Sequence, residues 1–593
     1  MWRNFSTIIN MSYIIPTSNN ANHLLDFNEL QYPLPDSVTK SLHESIETLD
    51  PRQYSIRQPQ YDLHLRQKLT AKFQNLIRTE DILLTHGSDD ALKLLIDWGM
   101  KENDTILTLD PSYTHILTWV NLKHGKHVQH CCLHYNKDVI VPDNVTIVYI
   151  CSPNNPTGAL FPLDKLEKLC INHPHVKFIC DEAYGDFVSN KWSAINLVSR
   201  CDNLFVVRTF SKLYGLAGLR LGYIINTRVP TFKHLYNPKS VTLLAVKTSL
   251  VALDCQVHYD DIVDHVTTTK MLTHDILSSF QLPTVFGGYG APFLAFHIPS
   301  CFATTQDFLQ AMIHKGFYLR DRNYLPLMKD MVRISMAPQA VMAQFLTAVA
   351  GCLPVRPYVV LLLAAGMGTR MQSTQPKVLR CIGGKTLLNH KLHQFPDAQQ
   401  HFVVTGYQSE AVKATLDASV TTINNKDYAV KNNYHSLLVG LQHVYQASTA
   451  DVIVIDGDTI MEQALADQLK ASATTHMLID NCCALTDEAM KVHVTNGIVT
   501  ACSKSPLTPN DSTNKDDVNS IGNYTGEYIG ALRIQRQDMQ KVMDCLAANT
   551  IDNEYYDTLI GPALSMKALS TMGRKWVEMD TPEDFELGVS MFE

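Results

Sequence analysis

The chain is 593 residues long, beyond the ~250–300 residues at which one hydrophobic core stops growing, so it holds more than one domain. Its 45% hydrophobic, 18% charged and 8% aromatic residues form a globular composition, which excludes a disordered chain. Lys plus Arg number 50 against 58 Asp plus Glu, a net charge of -8 with no long basic run, so composition excludes a polybasic binder of nucleic acid or anionic membrane.

The opening residues, MWRNFSTIINMSYIIP, hold one Arg and no sustained apolar core, a poor signal peptide. The 14 cysteines are scattered, with adjacent pairs at Cys131–Cys132 and Cys482–Cys483 and no two-residue metal spacing. A long chain with unpatterned cysteines predicts a reduced, intracellular, cytoplasmic protein. The most apolar stretch, Val359 to Met367, is far shorter than the ~20 residues that cross a bilayer.

In chain order, THGSDDALKLLI (85–96) predicts a tight turn entering a helix. Three β-branched runs follow, each ending in a polar cluster: VTIVYICSPNNPTG (145–158), VKFICDEAY (176–184) and LFVVRTFSK (204–212). Such runs suit strands buried on both faces of a parallel sheet, where ligands gather beyond the carboxyl ends. Between the first two, LDKLEKLCINH (163–173) predicts an amphipathic helix. A helix-like stretch ends at AQFLTAVAG (343–351), and the prolines of CLPVRPY break regular structure before the strand YVVLLLAAGMGTR (358–370). The reading is therefore α/β in two parts, 1–354 (with a small subdomain at about 255–354) and 355–593. The turn-rich segment 503–523 is read as a mobile loop of the second part.

A pyridoxal phosphate site needs a lysine for the Schiff base, a carboxylate for the pyridine nitrogen, and donors for the phosphate and phenolate oxygen. Asn155, Asp181 with Tyr184, and Lys212 supply candidates at the three strand ends. These motifs, in this order, resemble the fold-type I aminotransferases of class I/II, especially the histidinol-phosphate aminotransferase branch. The resemblance implies pyridoxal 5'-phosphate, with Lys212 as its Schiff-base lysine and proton shuttle and Asp181 as the partner of the pyridinium. Asn155 and Tyr184 match the groups on the 3'-oxygen, and Thr209, Ser211 and Arg220 match phosphate ligands. Gly87, Ser88 and Asp89 would add backbone N–H groups and the helix dipole. Tyr113 matches the aromatic that stacks on the ring. In GFYLRDRNYLPLMKDMVRISMAP (316–338), Arg333 falls where the family clamps the substrate α-carboxylate. Arg320 falls where the histidinol-phosphate branch binds the substrate's phosphate. Tyr54 is the candidate for the residue that reaches a neighbouring subunit's cofactor, which implies a homodimer through this half. Pro292 stands where many relatives carry asparagine, so the substrate is not carried over from the histidine pathway.

In the second half, LLLAAGMGTRMQSTQPKVL (361–379) is a strand, a glycine loop and Pro-Lys. Glycines let backbone N–H groups approach a triphosphate, Arg370 suits the β/γ oxygens, and Lys377 suits charge developing at the α-phosphate. The segment resembles the signature of sugar-nucleotide and cholinephosphate nucleotidyltransferases, a Rossmann-like fold. That implies nucleotide contacts from Leu363, Ala364, Ala365, Gly366, Gly368, Arg370 and Lys377. It also implies Mg²⁺ held by Asp458 in VIVIDGDTI (452–460) and Asp580 in WVEMDTPEDFELG (576–588), as a hard cation with one or two carboxylates would be. VVTGYQSE (403–410), NNYHSLLVGL (432–441) and GEYIGAL (526–532) resemble the cholinephosphate cytidylyltransferase branch. Tyr434 reads either as a cation–π partner of an ammonium head or as a core tyrosine.

The expected function is a bifunctional enzyme. A pyridoxal-phosphate aminotransferase, or a decarboxylase on the same scaffold, is joined to a Mg²⁺-dependent cytidylyltransferase acting on CTP and a small phospho-alcohol or phosphonate. One alternative is a sugar-1-phosphate nucleotidyltransferase using UTP or dTTP. Another, of a different class, makes one half a degenerate binding module. Small molecules are the expected partners, with neither nucleic acid nor membrane among them.

Overall fold

The computed structural model describes residues 23–593 apart from 286, 289, 372–374 and 506–523. The N-terminal leader reading and most of the segment at 503–523 lie outside the described residues. The chain divides into two compact units, one running up to Lys270 and including Pro283–Pro338, the other comprising Met271–Leu282 and Gln339–Glu593. Among the described residues no helix is long and apolar enough to cross a membrane.

The first unit is built on a seven-stranded sheet of β1 (Ile82–Thr85), β2 (Thr105–Asp110), β3 (Lys126–Cys131), β4 (Val145–Cys151), β5 (Lys177–Asp181), β6 (Leu204–Thr209) and β7 (Gly222–Ile225), in the order β1-β7-β6-β5-β4-β2-β3. The β2, β3, β4, β5 and β6 pairings are parallel, and β7 runs antiparallel to both β1 and β6. Central strands such as β6 are buried at every residue, which is why they read as unbroken apolar runs. Helix α1 (Gly87–Gly99) buries Ala91, Leu92, Leu95 and Ile96 at helical spacing against Leu83, Ile147, Phe205 and Ile224. Each fully buried aliphatic chain contributes about 1.5–3 kcal/mol. Four further strands, β8 (Thr284–Val285), β9 (Phe293–His297), β10 (Arg320–Asp321) and β11 (Met331–Ser335), form an antiparallel sheet ordered β10-β11-β9-β8.

The second unit holds a nine-stranded mixed sheet. Its first half comprises β12 (Tyr358–Ala364), β13 (His401–Thr405), β14 (Val420–Asn424) and β15 (Asp451–Asp456), with the parallel order β14-β13-β12-β15. The long strand β16 (Tyr524–Ile534) then pairs antiparallel with β15. Strand β12 is buried throughout and delivers the glycine loop at its carboxyl end. Helix α2 (Asn433–Ala447) places Tyr434, Leu437, Leu441 and Val444 in the core. Tyr434, 4% exposed, is thus a core tyrosine.

Candidate functional sites

In the first unit the carboxyl ends of parallel strands converge. Asp181 ends β5 and is buried. Burial pushes its carboxyl up to about 6, against the Tyr149 hydroxyl and the Ala183 N–H that stabilise the anion. Tyr149 Oη donates to Asp181 Oδ2 at 2.7 Å and Ala183 N to Oδ1 at 3.0 Å. A buried, hydrogen-bonded acid of this kind is matched to a cationic nitrogen brought by a ligand.

Lys212 follows β6. Its Nζ lies 3.4 Å from the Phe27 carbonyl and 5.6 Å from the centre of the Tyr184 ring. Tyr184 accepts a hydrogen bond from Asn28 Nδ2 at 2.8 Å. Arg333, 2% exposed, donates to Asn155 Oδ1 at 2.8 Å and to the Asp26 carbonyl. Arg320 stacks over Phe27, guanidinium carbon to ring centre 5.6 Å. Lys212, Tyr184, Asn155, Arg333 and Arg320 are thereby joined through residues 26–28.

The phosphate ligands form a second cluster. Helix α1 has no side-chain cap at its start, so the N–H groups of Gly87, Ser88 and Asp89 meet whatever lies before it. Arg220, in a left-handed conformation, approaches Gly87 so closely that a Cβ there would sit 2.6 Å from its Nη2. Arg220 Nη1 donates to Ser211 Oγ at 3.4 Å, and Thr209 Oγ1 to Ser211 Oγ at 3.0 Å. Asp89 pairs with Arg220 at 3.5 Å and accepts from the Tyr113 hydroxyl at 2.8 Å. A capless helix start, two hydroxyls and an arginine fit a phosphate monoester, and Asp181 and Lys212 fit the ring of pyridoxal phosphate. Tyr54 stands apart, 58% exposed, with Lys239 Nζ 5.0 Å from its ring centre.

One network here carried no local sequence signal. Arg208, wholly buried on β6, donates to Glu182 at 2.8 and 2.9 Å and to Asp186 at 3.1 Å, and Lys72 meets Asp186 at 2.6 Å. It ties the turn holding Asp181 and Tyr184 to the strand that leads to Lys212. Arg208→Ala would leave two buried carboxylates underpaired. We expect it to destabilise the first unit by about 3–5 kcal/mol, read from urea unfolding followed with a first-unit probe; a change below about 1 kcal/mol would contradict the clamp.

Asp181 also makes a pH signature in the cofactor-free chain. With a folded value of about 6 against the usual 3.8, the folded state binds more protons between those pH values. This group's contribution therefore falls as pH rises from about 4 to about 6 and is level above. Asp181→Asn should match the parent near pH 4 and melt higher at pH 7; equal melting at both pH values would contradict the burial.

In the second unit a cleft of about 460 Å³ is lined by Leu363, Ala364, Ala365, Gly366, Gly368, Arg370, Lys377, Asp458 and Asp580, so all the expected nucleotide and metal residues meet there. Gly368 is left-handed, and a Cβ would sit 2.6 Å from Lys377 Cγ. Lys377 Nζ bridges Asp458, at 3.2 Å, and Asp580. Burial opposes its charge, but the two aspartates outweigh it and raise its pKa. Arg370 pairs with Asp580 at 2.5 Å and Glu488 at 3.0 Å.

Sequence reading missed Glu578, whose carboxylate joins those of Asp458 and Asp580 within 4.8 Å of one another. Its side chain is exposed, and the surrounding cleft wall with the two neighbouring carboxylates pushes it up to about 8. Three such oxygens fit a hard divalent cation. The alternation Glu578-Met579-Asp580 in a strand-like segment was an available signal. Asp456 is half-buried and accepts from the Tyr556 hydroxyl at 2.9 Å. Buried Lys391 donates to the Gly457 carbonyl at 2.8 Å and holds the turn between Asp456 and Asp458. Tyr428, Tyr528, Tyr555 and Asp557 also line the cleft, and burial pushes Asp557 up to about 7.

The aminotransferase class I and II family model matches residues 22–349, and the MobA-like NTP transferase model matches residues 360–507. The dihydroxyacetone phosphate transaminase of Campylobacter jejuni is 30% identical over 324 residues, covering 53% of this chain and 85% of that protein. The histidinol-phosphate aminotransferase of Ruminiclostridium cellulolyticum is 25% identical over 326 residues, covering 53% and 88%. The solved histidinol-phosphate aminotransferase of Clostridium acetobutylicum shares the fold, with a TM-score of 0.50 at 19% identity over 56% of this chain and 98% of that one. The chain belongs to the aminotransferase class I and II family and joins that domain to a MobA-like NTP transferase domain.

Proposed function

We propose that the first unit transaminates a small, phosphoryl-bearing amino compound and that the second transfers a cytidylyl group from CTP to a small ammonium-bearing phosphate or phosphonate. The observation that carries the second assignment is the wall of the second-unit cleft, where Tyr428, Tyr528, Tyr555 and the buried acid Asp557 share one cavity with the glycine loop. Aromatic faces with a carboxylate suit an organic ammonium better than a sugar ring. Lys504 Nζ already lies 4.8 Å from the centre of the Tyr555 ring, so that wall accommodates a cation. The two relatives named for phosphorylated substrates support a phosphoryl-bearing substrate for the first unit.

Pyridoxal phosphate, when bound, supplies an electron sink for negative charge at the amino carbon. Lys212 would anchor that group and move the proton at the amino carbon, and Asp181 would pair with its ring nitrogen. Tyr184 and Asn155 would hold its phenolate oxygen, while Gly87, Ser88, Asp89, Thr209, Ser211 and Arg220 would hold its phosphate. Tyr113 would contact the ring, and Arg333 would take the substrate carboxylate. In the second unit an acceptor oxygen attacks the α-phosphorus and pyrophosphate leaves. Mg²⁺, when bound by Asp458, Glu578 and Asp580, supplies charge neutralisation for the phosphates. Lys377 meets the charge that grows at the α-phosphate, and Arg370 meets the leaving oxygens. Exposed Tyr54 supports a homodimer in which a second copy completes the first-unit site.

The test is pyrophosphate release by the full chain with Mg²⁺, each of CTP, UTP, dTTP and ATP, and a panel of phosphocholine, phosphoethanolamine, 2-aminoethylphosphonate and glucose 1-phosphate. CTP with an ammonium-bearing acceptor should dominate. Preference for glucose 1-phosphate with UTP or dTTP would replace the reading by sugar-nucleotide synthesis.

A further inference from the structure

The first-unit sheet holds an arginine that neither the family motif nor the cofactor explains. In the antiparallel pair β10–β11, Arg320 lies directly opposite Arg333. Arg322 continues that register, its N–H donating to the Met331 carbonyl at 3.1 Å. Residues two apart on a strand share a face, so three guanidinium groups stand on one face, an arrangement that repels itself.

Arg322 is only 8% exposed. Its Nη1 donates to the Tyr324 hydroxyl at 2.9 Å, its Nε is buried without a partner, and no carboxylate among the described residues lies within ion-pair distance. Burial lowers its pKa, and Arg320 adds to that, whereas the nearby Tyr324 and Tyr184 oppose it. Asp321 is on the opposite face by the same alternation and accepts from the Asn323 N–H. Asp26 is the nearby acid, and burial keeps its carboxyl above its usual range despite Arg320 and Arg333. An unpaired buried guanidinium costs several kcal/mol, so Arg322 itself is suited to an anion brought to this face.

We propose that Arg322, together with Arg320, forms a two-guanidinium seat for the phosphoryl dianion of the amino substrate and determines its preference over carboxylate-only substrates. This rests on the first-unit reading given above and names its specificity residue. A phosphoryl group offers three oxygens to two planar forks, whereas a carboxylate is satisfied by one. Arg333, already oriented by Asn155 and the Asp26 carbonyl, is left for a carboxylate. Arg320 and Lys212 both converge on Phe27, which puts this seat beside the reacting amine.

The test uses the full-length holoenzyme, in which the cofactor already fills the other phosphate site. Inorganic phosphate and, separately, acetate are titrated as inhibitors of transamination and by calorimetry, with the parent, Arg322→Gln and Arg322→Lys. Phosphate binding should weaken at least tenfold in Arg322→Gln and about threefold or more in Arg322→Lys, with acetate changed less than twofold. Phosphate bound equally by parent and variants, or equal loss for both anions, overturns the proposal. If Arg322→Gln does not fold, Arg322→Lys decides alone. A parent that binds the cofactor yet transaminates no amino donor, while its calorimetric phosphate binding still depends on Arg322, would instead fault the first-unit reading and leave the anion seat standing.

Discussion

Lys212→Ala is expected to abolish the visible absorbance of covalently held pyridoxal phosphate and to reduce transamination by at least several thousandfold. Lys212 stands 3.4 Å from the Phe27 carbonyl and beside the Tyr184 ring, and in the proposed function it serves both the cofactor and the amino carbon. A residue that is both attachment point and proton carrier acts as part of a unit, so its loss is not shared out among neighbours. Nucleotidyl transfer should be unchanged, because its residues lie in a separate compact unit with its own core. The check is one absorbance scan with transamination and pyrophosphate-release assays on the same preparation. Residual transamination within tenfold of the parent would contradict the role.

Asp458→Ala and Asp580→Ala should each lower pyrophosphate release by a thousandfold or more while weakening CTP binding only modestly. Each substitution removes one of three oxygens clustered within 4.8 Å from a site suited to a hard cation. It also removes a partner of Lys377, which bridges the two aspartates. The glycine loop would still hold the nucleotide, so the loss belongs to the transition state more than to the ground state. Lys377→Ala should behave alike, and transamination should persist in all three variants. Near-normal release by Asp458→Ala at saturating Mg²⁺ would contradict the metal role.

What was legible in the sequence were the residues whose chemistry rides on local structure. Asp181 and Lys212 each follow a buried β-branched run, and Gly368 and Lys377 follow β12, so strand and ligand cluster could be read together. Asn28, Asp26 and Arg322 were not legible. Asn28 reaches Tyr184 across 156 residues and Ser335 across 307, and nothing local marks such contacts. Arg320 was singled out through the resemblance, whereas Arg322 carries no local mark until its bond to the Met331 carbonyl continues the register and sets it on the face of Arg320. Tyr434 lies between these cases: the sequence left it open between a cation–π partner and a core tyrosine, and its packing with Leu437, Leu441 and Val444 on helix α2 decides for the core. The grouping of Met271–Leu282 with the second unit depends on tertiary packing that no composition shift announces.

A lysine-held cofactor in the first unit and a separate nucleotidyl site in the second are tested together in one sample. The holo chain is reduced with borohydride, part is digested and mapped by mass, and the rest is assayed for pyrophosphate release with CTP, Mg²⁺ and phosphoethanolamine. The predicted result is a reduced pyridoxyl label on Lys212 with pyrophosphate release undiminished. Lys270 is the rival amine to check, since burial lowers it to about 7 while its Nζ donates to the Gly288 and Ala291 carbonyls. A label on Lys270 instead of Lys212, or loss of pyrophosphate release on reduction, would contradict the account.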